Sequence, residues 1–346
     1  LIPSEAEQII LDNRNRLRSL LKTFTKTAQD WRSLAGFLLN NCYLVVERVD
    51  DQDEAWSMLA LEESTGLPFH SSERLKNSLI SAVPRAHQEQ INRQWEHWQS
   101  QLGSDDLTRL MHHVRSLLFE RRSNQPLEQD LIKRISSDGH EELFDRHISP
   151  NVENYLALKT GGFGNWRHRT PIKHALTSLR WLERDFWVAP ALKWLGTNGA
   201  QHPDTATFFS LLERLSWLLR ISSNDPVQHE RHFLRLCREI APGCSATEIP
   251  ALTITDQMCA EATSNLMSRT FFEKKYSRLI LRRIGLALGS DPGEIDGINA
   301  TVEHVLPRRP DKESCWCEKF KSKNAVKNNV HRLGNLAVLS LKDNQK

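Results

Sequence analysis

A carboxylate and an imidazole stand side by side near the C-terminus, in the stretch Val302–Pro307 (VEHVLP). Two asparagines follow, Asn335 in the sequence LGNLAVL and Asn344 in DNQK, nine residues apart. An imidazole can deprotonate a water molecule near neutral pH, whereas carboxylate and amide oxygens suit Mg²⁺ or Mn²⁺. A further amide can hold the imidazole in one orientation. Hydrolysis of a phosphodiester needs these functions: an activated water, a cation and protonation of the leaving oxygen.

Two short apolar segments must position these residues. Asn299–Leu306 has the pattern of a strand that ends at Pro307, and Leu333–Leu341 predicts a second one after a loop. The sequence SDPG from Ser290 breaks the preceding helix. We therefore predict a small C-terminal unit over residues 290–346.

The rest of the chain predicts a mainly α fold. Residues 84–289 form a predicted helical middle domain, with apolar stripes at helical spacing that we assign to its core. One of these stripes contains Phe272, Tyr276, Leu279, Ile280 and Ile284.

The first domain, residues 1–83, has the pattern of a residual α/β piece. Pro3–Leu39 is largely helical in pattern, Tyr43–Val49 is rich in β-branched residues and predicts a strand, and Asp53–Glu62 predicts a short helix.

The charge of the whole chain is balanced, with a formal net charge of +3, but its distribution is uneven. From Thr301 to Lys346, ten Lys and Arg face five Asp and Glu, a local excess that can bind phosphates. Arg308, Arg309, His331 and Lys342 are the candidate contacts to a nucleic-acid backbone in this segment; a solvated surface position is the alternative for each.

The composition excludes several classes of protein. No apolar run is long enough for a membrane span, so we expect no membrane partner. Six scattered cysteines without a CxxC pair argue against a disulfide framework and favour reduced thiols in a cytoplasmic protein. Cys315 and Cys317 have no partner pair at zinc spacing.

The order Glu-His-hydrophobic-x-Pro, then Asn-Leu-x-hydrophobic-Leu, then Asn, resembles the ββα-metal HNH nucleases. The resemblance implies that His304 is the general base, that Asn335 orients it, and that Glu303 and Asn344 bind the metal. The variant Leu-Gly-Asn-Leu without zinc-knuckle cysteines is similar to the C-terminal module of GmrSD-type modification-dependent restriction proteins. The phosphorothioate-sensing SspE-type defence proteins share this module.

A second resemblance lies at the other end of the chain. Val45–Ile80 is similar to the end of the ParB-like module that precedes the nuclease in those families, although Glu63–Gly66 (ESTG) departs from their Asn-x-Arg-Gly turn. Their nucleotide-hydrolysing motif is not in this chain, so we expect it upstream of Leu1, and with it any NTP dependence. Only two residues follow Asn344, so we expect the chain ending at Lys346 to hold metal weakly.

The combined prediction is a Mg²⁺- or Mn²⁺-dependent DNA endonuclease that acts on modified or phage DNA in restriction. Its assembly as a homo-oligomer is left open. One alternative is a helical sensor or interaction scaffold with an inactive or truncated nuclease unit. Another is a ribonuclease that uses the same metal site.

Overall fold

The computed structural model describes residues 5–43, 71–161, 169–223, 225–289 and 300–340. Within these ranges the chain is mostly helical, and its two strands form one antiparallel sheet near the C-terminus. The predicted class, mainly α with a small C-terminal β unit, is confirmed. None of the helices in these ranges is both long and apolar enough to cross a bilayer.

Several predicted elements fall outside the described residues. They are the strand after Tyr43, the helix over Asp53–Glu62, and the helix expected to begin at Asn344. Tyr43 itself is described, and its side chain is exposed. The α/β character of the first domain and the helix of a ββα unit therefore remain predictions.

The predicted helical segment at the N-terminus consists of two helices, α1 (Glu5–Phe24) and α2 (Ala28–Asn41). The helical run is interrupted between them because Thr27 caps the start of α2. The Thr27 hydroxyl accepts a hydrogen bond from the Asp30 amide, and the Asp30 carboxylate accepts one from the Thr27 amide. Such a reciprocal pair satisfies amides that the first turn of a helix leaves unbonded.

The chain divides into two compact units, of which the first comprises Leu1–His112 and Gln125–Ile148. After α1 and α2 its helical elements are α3 (Ser71–Ser81), α4 (Arg85–Leu102), the first part of α5 (Ser104–Phe119), α6 (Leu127–Asp138) and a wide helical turn, Glu142–Ile148.

The core of the first unit is built on one face of α4. Ile91, Trp95 and Trp98 recur at helical spacing, and all three are buried. Trp98 stacks on Phe144 of the wide turn, with ring centroids 6.3 Å apart and an interplanar angle of 12°. Burial of such large rings contributes most of the hydrophobic stabilisation of a small core.

The second unit comprises His113–Asn124 and Ser149–Lys346. Its further elements are α7 (Ser149–Thr160), α8 (Arg169–Arg180), α9 (Val188–Asn198), α10 (Thr205–Ser222), α11 (Pro226–Glu239), α12 (Asp256–Leu266), α13 (Ser277–Ala287), β1 (Ala300–His304), α14 (Cys315–Lys319), α15 (Lys323–Asn329) and β2 (Leu336–Ser340), with single 3₁₀ turns at Ala246–Glu248, Pro250–Leu252, Phe271–Glu273 and Leu333–Asn335.

The buried carboxylate of Glu213 ties three helices of the second unit together, through a half-buried arginine and a serine. The Arg283 guanidinium of α13 binds both carboxylate oxygens of Glu213 on α10. Ser178 of α8 donates to the same carboxylate at 2.5 Å and accepts from the Trp217 indole N–H at 2.7 Å. Because each of these polar groups has a partner, the Glu213 carboxylate can stay buried without an unsatisfied charge.

The two strands pack on this helical core. Leu336 of β2 is buried in one cluster with Trp217, Tyr276 and Ile280, and Val302 and Val338 pack against that cluster. Val302 pairs with Val338 and His304 with Leu336 in the antiparallel register. Because side chains alternate along a strand, Val302 and His304 lie on the face of the hairpin that meets the helices, and Glu303 on the other.

The hairpin differs from the sequence expectation in its length. β1 ends at His304, two residues before Leu306, and β2 begins only after the turn Leu333–Asn335. The loop between the strands carries α14 and α15, which no apolar periodicity predicted. The division at 83/84 and 289/290 remains a prediction, although residues before 290 supply the surface on which the hairpin packs.

A buried histidine in the second unit makes stability depend on pH. His229 of α11 is only 4% exposed, and its Nε2 atom has no hydrogen-bond partner among the described residues. Burial lowers its pKa below the ordinary value, and the nearby Arg184 lowers it further, while a hydrogen bond with the Leu219 backbone acts in the opposite direction.

This depressed pKa predicts a loss of stability in mild acid. The unfolded chain protonates its histidine near pH 6.5, whereas folded His229 resists protonation, so the stabilisation present above that pH decreases as the pH falls through the lowered pKa. We expect His229→Gln to flatten the fall of the thermal unfolding midpoint between pH 7 and pH 5. His174→Gln, at an exposed position of α8, is the control. Equal slopes for the His229 variant and the wild type would contradict the prediction.

Candidate nuclease centre

Asn335 joins the end of β1 to the start of β2. Its carbonyl accepts from the Val305 amide at 2.9 Å, and its side-chain Oδ1 accepts from the Leu306 amide at 2.6 Å. Its Nδ2 donates to the Leu306 carbonyl at 3.1 Å and to the Val330 carbonyl at 2.8 Å. We call this set of bonds the Asn335 clasp. It replaces the strand ladder just after His304 and fixes the backbone that follows the histidine.

The clasp bears on the predicted relation between Asn335 and His304. The sequence predicts an amide that orients the imidazole of His304, and the simplest form of that role is a direct contact. Both atoms of the amide instead bind backbone groups of Leu306 and Val330. In the described structure the side chain of Asn335 therefore bonds to the chain that carries the histidine and not to the imidazole.

The imidazole of His304 contacts two other rings. Its Nε2 lies 3.2 Å from Nδ1 of His331, within hydrogen-bonding distance. Its centroid lies 4.6 Å from that of Phe272, on which the His331 ring also stacks at 5.5 Å with an interplanar angle of 22°. The Phe272 amide donates to the His331 carbonyl at 3.0 Å. The three rings form a cluster that we call the ring triad.

The surroundings of His304 favour its neutral form. Burial lowers the pKa of its imidazole, and the positive charge of Arg308 and the proximity of His331 act in the same direction, opposed by the Glu303 carboxylate. The Arg308 guanidinium lies over the Phe272 ring, 4.8 Å from its centroid. A neutral imidazole has one nitrogen with a free electron pair, which is what a general base requires.

Glu303 is the carboxylate that the sequence assigns to a divalent cation. The described residues contain no group of three His, Cys, Asp or Glu side chains arranged to hold a metal ion. Mg²⁺, however, is commonly held by one or two carboxylates together with waters and substrate phosphates, so the carboxylate of Glu303 fits this ion. Asn344, the second expected ligand, lies outside the described residues.

The candidate phosphate contacts differ in their surroundings. Arg308 and Arg309 follow directly after the clasp, and both are exposed. His331 is half-buried in the ring triad, and Lys342 lies outside the described residues.

A cleft of about 480 Å³ borders the other side of the clasp. Its walls include Leu306 and Asn335 from the hairpin, and Phe320 and Arg332 from the loop between the strands. An aromatic ring and a guanidinium beside the candidate centre are groups that can contact a base and a phosphate.

Sequence reasoning missed the ring triad. Phe272 was assigned to a helical core stripe, but it lies in the 3₁₀ turn before α13 and reaches the two imidazoles. His331 is 27 residues from His304, so no local spacing relates the two. Its position four residues before Asn335, in the segment that leads into the clasp, was the one available signal.

The fold and the site together define a mostly helical protein with a C-terminal β-hairpin that presents a Glu-His pair at a strand end. Residues 255–346 match the family model of the GmrSD restriction endonucleases, C-terminal domain. The match supports a restriction endonuclease-like role, and it confirms the resemblance of the C-terminal segment to the C-terminal module of GmrSD-type restriction proteins. The matched segment begins just before α12, so it includes α12 and α13, two of the helices on which the hairpin packs. Comparisons with curated proteins and with solved structures give no match.

If the clasp exists in solution, removing the Asn335 side-chain amide should reduce the protection of nearby backbone amides from hydrogen exchange. In Asn335→Ala the Leu306 amide loses its acceptor, and two carbonyls lose their donor, each bond contributing about 1 kcal/mol. We expect faster hydrogen exchange at the peptide that contains Val305 and Leu306. Asn329→Ala, which removes an amide bonded to a single carbonyl in α15, should leave this peptide protected. Unchanged exchange in Asn335→Ala would exclude the clasp in solution.

Proposed function

We propose that the protein is an HNH-type, divalent-metal-dependent DNA endonuclease. The observation that carries this proposal is the position of His304, a half-buried imidazole at the end of β1 that follows Glu303 in the strand and directly precedes the backbone held by the Asn335 clasp. The family match to restriction endonucleases supports the same reaction class.

In the proposed reaction His304 accepts the proton of a water molecule whose oxygen attacks the phosphorus. The bond from phosphorus to the leaving oxygen breaks, and that oxygen takes up a proton. Glu303, with Asn344, would hold Mg²⁺ or Mn²⁺, and the bound ion supplies stabilisation of the negative charge on the phosphate. The clasp keeps the His304 backbone in place during these steps, so that the imidazole need not be reoriented.

The substrate would be held by its backbone. Arg308 and Arg309 stand directly after the centre, and the local excess of positive charge continues through the loop between the strands. Phosphate contacts of this kind position the nucleic acid but do not read its sequence. Lys342 would add a contact from the segment after β2.

The biological setting that we propose is restriction of modified or phage DNA in the cytoplasm. The resemblance to modification-dependent restriction proteins implies this substrate, and it implies an NTP-hydrolysing ParB-like module in the same chain or complex. The helical domain would then connect that module to the nuclease. Assembly as a homo-oligomer is compatible with this arrangement.

The role of His304 as the base predicts a large decrease of cleavage in His304→Ala. A positioned general base contributes about 10²–10⁴-fold to the rate, and we expect a decrease of that order in nicking of supercoiled plasmid with Mg²⁺ or Mn²⁺. His174→Ala, at the exposed surface of α8, is the control. A folded His304→Ala protein with wild-type activity would reject the assignment. Parallel assays on RNA separate a DNase from a ribonuclease.

Replacing the two arginines should weaken DNA binding and make it less dependent on salt. Neutralising one phosphate-binding side chain reduces the slope of log K against log salt by about 0.9, so Arg308→Gln with Arg309→Gln should flatten it by roughly 2. The measurement is fluorescence anisotropy of a labelled duplex without divalent metal. The matched control replaces Arg214 and Arg231, two exposed arginines of α10 and α11. If the slope is unchanged in the Arg308/Arg309 variant, the DNA-binding surface does not lie at the hairpin.

A further inference from the structure

The two histidines of the ring triad face each other through specific nitrogens. His304 presents Nε2 and His331 presents Nδ1, 3.2 Å apart. A neutral imidazole carries a hydrogen on one nitrogen and a free electron pair on the other. A hydrogen bond between these two nitrogens therefore contains one hydrogen, and the tautomers of the two rings are linked.

Two arrangements satisfy this contact. If His331 donates through Nδ1–H, the Nε2 lone pair of His304 is occupied and its Nδ1 carries hydrogen, so no nitrogen remains to accept a proton. If His304 donates through Nε2–H, its Nδ1 keeps a free lone pair. Only the second arrangement leaves His304 able to act as a base without breaking the contact.

We propose that His331 is a positioning residue for His304: its Nδ1 accepts the Nε2–H hydrogen and thereby fixes Nδ1 of His304 as the atom that takes the proton from water. This inference rests on the proposed function. It assigns to His331 a role in orienting the base, instead of the phosphate contact that the sequence suggested.

His331 is itself held firmly enough to orient another ring. Its carbonyl accepts from the Phe272 amide at 3.0 Å, and its imidazole stacks on the Phe272 ring. The next residue, Arg332, donates its amide to the Asn329 carbonyl at 3.2 Å, which fixes the turn after α15. Backbone and side chain of His331 are thus constrained from separate directions, as the partner of a catalytic base needs to be.

A matched pair of variants tests the acceptor. His331→Phe keeps an aromatic ring to pack on Phe272 but has no acceptor, whereas His331→Asn places an amide oxygen near the former Nδ1 position. We expect His331→Phe to lower kcat by about 10–100-fold, and His331→Asn to restore most of this decrease. The dissociation constant for DNA, measured without metal, should stay within about twofold of the wild type in both. A phosphate contact would give the reverse pattern, with weaker DNA binding and unchanged kcat, and would overturn the proposal.

A second measurement does not depend on cleavage. Long-range ¹H–¹⁵N correlation spectra of protein with ¹⁵N-labelled histidine report the tautomer of each ring, and the His304→Ala spectrum assigns the His304 signals. We expect a single Nε2–H tautomer of His304 in the wild type and in His331→Asn, and a mixture in His331→Phe. An Nδ1–H tautomer in the wild type, or no change in His331→Phe, would overturn the proposal.

The two measurements separate failure of the inference from failure of the proposed function. If His304→Ala cleaves normally, the function is wrong, and the spectra still decide whether His331 sets the tautomer. If His304→Ala is inactive while folded His331→Phe cleaves at the wild-type rate, the function stands and the positioning role is rejected.

Discussion

The Asn335 amide is the interaction on which the rest of the candidate centre depends. Its oxygen and nitrogen close a loop between the end of one strand and the approach to the other, through the backbone of Leu306 and Val330. His304 lies two residues before Leu306, and His331 directly follows Val330. The bonds of the clasp therefore hold the backbone near both imidazoles that contact each other. An asparagine supplies an acceptor and two donor hydrogens at this reach, whereas an aspartate carboxylate would leave both carbonyls without a donor.

The hairpin alone is too small to hold this geometry. A two-stranded sheet is marginal in water, and β1 and β2 have only five residues each. Leu336 and Val338 pack against the cluster formed by α10, α12 and α13, and the Glu213–Arg283 ion pair ties α10 to α13. The family match begins before α12, so it includes two of the three supporting helices, and α10 contributes to the support from outside the matched segment.

Packing and chemistry make opposing demands on His304. Its position opposite Leu336, on the face that meets the helices, buries part of the ring and lowers its pKa. A neutral ring is useful to a general base, but burial would also hide its nitrogens. In the ring triad the Phe272 ring contacts the imidazole at a tilt of 57°, and His331 contacts its Nε2, so the proposed mechanism uses the remaining nitrogen, Nδ1.

Local patterns in the sequence were enough to predict the mainly α class and the two strands, because periodicity is a property of neighbouring residues. The roles of Glu303, His304 and Asn335 stay predictions. Local patterns could not predict where β1 ends, since that limit is set by bonds from Asn335, 31 residues after His304. For the same reason they assigned Phe272 to a core stripe and His331 to the surface. Contacts between rings from separate segments depend on how the hairpin packs on the helices, and the tertiary structure alone decides that.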